Sequence, residues 1–183
     1  MLRGEKVALR ARIDADVEIL DEELYTDVLN ASRADVKPWT PLAPGGPASP
    51  HRIREPDDKH APFSIVDLET HELAGECSLW SIDTHNRLAH IGVSLRPSHR
   101  GRGLGTDAVA VLCHYAFVVR SLHRLQIETL ADNVGMINAA TKNGFTPEGK
   151  LRSNAWVFGE FHDEVIFGLL LDEWLARRGP AAT

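Results

Sequence analysis

The sequence predicts an α+β (α/β) fold, a mixed and largely antiparallel sheet of about seven strands flanked by about four helices. Three observations predict it. Apolar spacing switches repeatedly between the strand and the helix period along the 183 residues. Three strand-like runs at 63–68, 73–82 and 87–95 are separated only by polar turns, as in an antiparallel meander. A Gly/Arg-rich turn then joins the third run to a helical pattern.

Taken in order, Val7 to Ile13 alternates weakly and reads as a first strand. Asp14-Ala15-Asp16 offers a cap to a helix whose apolar face is Val17, Leu20, Leu24 and Val28, with Asp21-Glu22-Glu23 on its solvated side. Prolines at 38, 41, 44, 47, 50, 56 and 62 then forbid long helices, so 37–62 is an extended excursion. The meander follows, with turns at 69–71 and 83–86. A helix at about 104–119 buries Leu104, Ala108, Val111, Leu112, Tyr115, Ala116 and Val119. Arg124 to Leu130 alternates as a strand, and Asp132-Asn133 caps a short helix ending at Gly144, a C′ glycine. Leu151 to Phe158 and Phe161 to Leu171 form a hairpin turning at Gly159-Glu160, and Asp172 to Arg178 adds a terminal helix.

This length fits one domain, with a core over about 7–176. Hydrophobic residues make up 43% and charged residues 25%, as in a soluble globule, and no apolar run reaches membrane-spanning length. The start lacks the apolar core of a signal peptide, so a cytoplasmic location is expected, without membrane association. Cys77 and Cys113 read as buried small hydrophobes, and nine scattered histidines form no metal-binding frame, so no metal is expected. A net charge of −6 argues against nucleic acid as a ligand, and no aromatic residues interleave Arg96, Arg100 and Arg102.

The turn between 96 and 105 carries the chemistry. Gly101, Gly103 and Gly105 fall at every second position, which lets backbone amides face inward, and the following helix adds its uncapped N–H groups and positive dipole end. Such a turn holds an anion. A dinucleotide fingerprint fails because Thr106 stands where its third glycine belongs, and a Walker A loop fails for want of its lysine. Arg100-x-x-Gly103-x-Gly105 between a strand and a helix instead resembles the pyrophosphate loop of the GNAT acyltransferases. The chain is similar to the RimJ/RimL-like and spermidine-acetyltransferase-like branch over nearly its whole length. The further matching pieces are Pro38-Trp39, Ala89-His90-Ile91-Gly92, Asn133 with Lys142-Asn143-Gly144-Phe145, Gly159-Glu160-Phe161-His162-Asp163, and Leu171-Asp172-Glu173-Trp174.

The resemblance implies splayed central strands holding acyl-CoA between the strand at 88–95 and that at 124–130. It implies that backbone groups of Val93 and Leu95 face the pantetheine and thioester, that Arg100, Gly101, Arg102, Gly103, Leu104, Gly105 and Thr106 hold the pyrophosphate, and that Asn133 reaches the pantetheine arm. Leu95 N–H would stabilise the developing oxyanion. The implied reaction is direct attack of a primary amine on acetyl-CoA, with no acyl-enzyme, so Ser94 is scaffold. A protein N-terminal α-amine is the expected acceptor. A polyamine or antibiotic amine is the alternative, as is a degenerate acyl-CoA-binding module, and pairing through the terminal hairpin would give a homodimer.

Two positions depart from the family pattern. Ala140 stands where many relatives carry a tyrosine acid, and Met136 where a RimL-type serine would fall. The loss is tolerable, because a thiol of pKa about 8.5 departs as thiolate at neutral pH for about 2 kcal/mol. Deprotonating the amine asks more: about 1 kcal/mol for an α-amine and about 4 to 5 for a lysine-like one. His90 is the first candidate base and Glu76 the second, each with a plainer reading as a strand-face polar residue. Trp39 is either an anchor onto the core or a wall of the acceptor site. His162 and Asp163 read as structural polar residues of the hairpin.

Overall fold

The computed structural model describes residues 1–35, 37–55 and 57–178. Its strands are β1 (Leu2–Arg3), β2 (Val7–Arg10), β3 (Ala61–Asp67), β4 (Leu73–Asp83), β5 (Leu88–Leu95), β6 (Arg124–Leu130), β7 (Thr146–Val157) and β8 (Glu160–Leu170), in one sheet of spatial order β1-β2-β3-β4-β5-β6-β8-β7. Every pairing is antiparallel except β5 with β6. The helices are α1 (Asp14–Leu20), α2 (Val28–Ala34), α3 (Leu104–His114), α4 (Val134–Lys142) and α5 (Leu171–Arg178). The predicted class and meander are present. The two-residue β1 is too short to leave a periodic signature, and β7 starts at Thr146 rather than Leu151.

One sheet face packs α3, α4 and α5 over a core that includes Leu9, Ile65, Cys77, Leu79, Ile91, Leu112, Leu125 and Leu169. Period-2 alternation puts Cys77 and Leu79 on that face of β4, with Glu76, Ser78 and Trp80 on the other. Cross-strand pairs Glu76↔Ser94, Ser78↔Gly92 and Trp80↔His90 carry the second face onto β5. Leu20 and Leu24 pack against Leu73 in a small separate cluster.

The predicted first helix is interrupted. A π-helical turn at Asp21–Tyr25, closed by Thr26 N–H to Asp21 O at 2.9 Å, separates α1 from α2. Asp21, four residues after the buried Val17, faces inward and is 2% exposed, and Glu23 pairs with Arg96, so 21–23 is not a solvated stripe. A second π-helical turn at Tyr115–Val119 shifts the helical period and leaves Val119 exposed instead of on the core face. The cap of α1 also differs: Ile13 is the N-cap and Asp16, not Asp14, accepts its N–H at 3.0 Å. In the last hairpin, Val157 pairs with Glu160, so the turn is Phe158-Gly159 with φ of 45° and 100°, one residue earlier than read. Both residues are left-handed, the requirement of a type I′ turn.

Candidate functional site

The parallel pairing of β5 and β6 is brief. Leu88↔Arg124, Ala89↔Leu125 and His90↔Gln126 are the paired positions, after which the strands run on without partnering each other. Past that point β5 stays laddered to β4 as far as Gly75↔Leu95, and β6 to β8 as far as Leu130↔Glu164. The sheet therefore opens between 91–95 and 127–130. Arg96 N–H bonds Ala74 O at 2.9 Å, and antiparallel hydrogen bonds alternate, so the amides of Val93 and Leu95 turn away from β4 toward the opening. Leu95 O is taken by Arg100 Nε at 2.9 Å.

The start of α3 sits at the mouth of this opening. A Cβ on Gly105 would lie 3.5 Å from Leu95 Cδ1, and Asn143 Nδ2 of the α4 C-cap donates to Thr106 O at 3.0 Å. Among the described residues, the amides from Gly101 through Thr106 donate to no protein acceptor. Gly103 caps the helix at φ 84°, a left-handed conformation that costs a side-chain-bearing residue about 1 kcal/mol or more. Asp107, which the sequence did not single out, fixes the helix end: its carboxylate accepts from the amides of Glu5 (3.2 Å), Lys6 (2.8 Å) and Val7 (2.9 Å).

The two arginines of the turn differ. Among the described residues, Arg100 bonds only neutral groups, Leu95 O and Asn30 Oδ1 (2.8 Å), and has no carboxylate partner. Arg102 is paired with Asp67 at 2.6 Å and Glu69 at 2.8 Å. Asn133 is also engaged, accepting from Met136 N–H at 3.2 Å as the N-cap of α4 and donating to Thr129 Oγ1 at 2.9 Å. Ala140 is fully buried and Met136 packs against the core.

On the opposite face, His90 stacks on Trp80 with ring centroids 4.4 Å apart, and its buried Nδ1 makes no hydrogen bond, lying 3.6 Å from Glu128 Oε1. Burial holds its pKa below the ordinary histidine value, against the pull of Glu128. The imidazole is therefore neutral near pH 7. Glu76 is bonded to Arg12 and lies 3.5 Å from His51 Nε2; burial would raise its pKa, but His51 and Arg12 outweigh that and bring it down to about 2. Trp39 donates Nε1–H to Tyr25 O at 2.9 Å and stacks on the Tyr25 ring at 6.2 Å, anchoring the Pro-rich loop to the π-helical turn. Asp163 pairs with Lys150 and accepts from Ser153 N–H, a role within the hairpin. No three His, Cys, Asp or Glu side chains among the described residues gather as a metal site, and no described helix is long and apolar enough to cross a membrane.

Residues 9–146 match the acetyltransferase (GNAT) domain model, and the chain belongs to that family. It is 34% identical to an uncharacterized N-acetyltransferase p20 of Bacillus licheniformis, over 61% of this chain and 63% of that protein. It is 36% identical to the putative ribosomal N-acetyltransferase YdaF of Bacillus subtilis over 56% of each. With the spermidine N(1)-acetyltransferase of Escherichia coli it shares 28% over 57% of this chain and 56% of that protein. The chain thus spans less than two-thirds of the length of these curated relatives. Among solved structures, a probable acetyltransferase superposes with a TM-score of 0.75 at 27% identity, covering 93% of this chain and 96% of that one. The Vibrio cholerae spermidine N-acetyltransferase crystallised with CoA and spermine shares the fold, with a TM-score of 0.74 at 18% identity over 92% and 98% of the two chains.

Proposed function

We propose that this chain transfers an acetyl group from acetyl-CoA to a primary amine, with a protein N-terminal α-amine as the preferred acceptor. The observation that carries the reading is the opening between β5 and β6 with the unpaired amides of Gly101–Thr106 at its mouth. These amides, the dipole of α3 and the unpaired charge of Arg100 suit a diphosphate; Arg102, already neutralised, serves to brace the turn. Val93 and Leu95 present free backbone N–H groups to the opening, and Leu95 N–H is the donor for the oxyanion. Asn133 acts through the cap of α4 more than by direct contact.

The amine enters from the face of His90. Neutral His90 takes a proton from the ammonium; the freed nitrogen pair forms the C–N bond, the C–S bond breaks, and the electron pair leaves on the thiolate. The second proton of the nitrogen passes to water as the amide forms, and water delivers a proton to the thiolate, which neither Ala140 nor Met136 can protonate. Glu76, at about 2 and paired with Arg12, is a poor proton acceptor and serves to hold the acceptor face together, with Trp39 in its wall.

The depressed pKa of His90 supports an α-amine. Against a base at or below about 6.5, an α-ammonium near 8 costs about 2 kcal/mol or more to deprotonate, and a side-chain or polyamine ammonium near 10.4 about 5. A polyamine remains the second reading, favoured by the Glu128 carboxylate beside His90. Thiol release from acetyl-CoA with a panel of short peptides, spermidine and aminoglycosides separates these. Turnover is expected on peptides with free N-termini. Faster turnover on spermidine would reverse the preference, and CoA binding without turnover on any amine would overturn the enzyme reading.

A further inference from the structure

A buried ionic cluster on the same sheet face joins four separate stretches of chain. Asp21, on the inward side of the helix at the start of the π-helical turn, gathers the Pro-rich loop: Oδ2 accepts from Gly45 N–H at 2.8 Å, and Oδ1 accepts from Ser49 Oγ and His51 Nδ1, each at 2.7 Å. Arg12 closes the other side, donating to His51 O at 2.9 Å and to the Glu76 carboxylate. His51 is 6% exposed, and its Nε2 lies 3.5 Å from Glu76 Oε1.

Elementary chemistry assigns the protons. An ionised carboxylate only accepts, so His51 Nδ1 carries a hydrogen toward Asp21, and the titrating position is Nε2, which faces Glu76. With that proton present, the cluster holds two carboxylates and two cations and is neutral. Without it, a net negative charge is left buried, which is costly. The groups facing His51 are Asp21 from the π-helical turn, Ser49 from its own loop, Arg12 from the link between β2 and α1, and Glu76 from β4. Burial pulls the imidazolium pKa down and Arg12 adds to that, but Glu76 and Asp21 outweigh them, and the net shift is upward.

We propose that His51 is a positioning residue: its proton on Nε2 latches the 45–51 segment onto the sheet face that carries Glu76 and His90, and so shapes the entry of the amine. The latch itself stands on the geometry of the cluster; its effect on amine entry rests on the acetyl-transfer reading. Because the folded His51 titrates above its unfolded value, latching is complete below about pH 6.5 and is lost as pH rises through the folded pKa. Amine deprotonation improves over the same range, so the latch opposes the gain in nucleophile at alkaline pH.

Amide hydrogen exchange of the full chain, corrected for the intrinsic pH dependence of exchange, tests this. From about pH 6 to about pH 9.5, protection of 45–51 is expected to fall about tenfold, while β4 and β5 amides hold constant. His51→Asn keeps a donor to Asp21 without a titrating charge, and should show the loosened level at every pH. The ratio of amine kcat/KM, wild type over His51→Asn, should be about tenfold near pH 6.5 and approach one at alkaline pH, with the KM of acetyl-CoA unchanged. Flat protection in the wild type overturns the latch even if the variant does not fold, and a pH-independent ratio overturns it as well. Protection that falls as expected with no turnover on any amine supports the latch and overturns only the acetyl-transfer reading.

Discussion

The two faces of the opening are built from different materials. Toward α3 it presents main-chain amides of one short stretch, Gly101 to Thr106, aimed by φ angles and a helix axis. Toward α1 and the Pro-rich loop it presents side chains from four stretches, held by ion pairs among Arg12, Asp21, His51 and Glu76 and by the tilted Trp80–His90 contact. The first kind of site tolerates side-chain change and fails on backbone change; the second does the reverse. It follows that coenzyme and acceptor binding should be separable by mutation.

The largest expected effect comes from breaking the backbone half. Gly103→Glu places a side chain at φ 84° and a negative charge among the amides meant for a diphosphate. CoA affinity should fall by about a hundredfold or more, with the far-UV circular dichroism retained. Measured affinity within a few-fold of wild type would remove the loop from the site. Next comes His90→Ala, expected to lower kcat near pH 7 by about ten- to a thousandfold while leaving CoA binding intact. In the wild type, the neutral imidazole is the active form, so kcat/KM should drop as pH falls below about 6.5 through the depressed folded value. The smallest effect sharpens the separation: Trp39→Ala should raise the amine KM about fivefold, one interface aromatic's worth, with the acetyl-CoA KM unchanged. An equal rise in both would make Trp39 a structural anchor of the loop.

The same division explains what could be read from the chain. The strand-turn-helix passage from His90 to Ala108 is contiguous, so its glycine spacing and change of period announced the fold and the turn whose amides are left without a protein acceptor. Asn133 and Gly144 marked the ends of α4 by local capping chemistry. The acceptor face left no such trace. Arg12, His51 and Glu76 are far apart in sequence, and Asp21 reads as part of an acidic run with Glu22 and Glu23 although it stands four residues after Val17, on the apolar side of the helix. Arg102 was equally opaque, since the carboxylates that neutralise it, Asp67 and Glu69, arrive from the β3 end. Asp107, likewise, meets its partners only when the chain's beginning folds back on α3.

That last contact bears on how the chain can be handled. Asp107 sits in the first turn of α3, where the Glu5, Lys6 and Val7 amides donate to both its oxygens and offset part of its charge. A truncation that trims those residues, or a fusion that pulls them aside, would leave that carboxylate without its three donors and would also remove the Lys6 ammonium, which donates to Arg102 O at 3.0 Å beside Gly103. The amino-terminal residues thus tune the local field of a turn far from them in sequence.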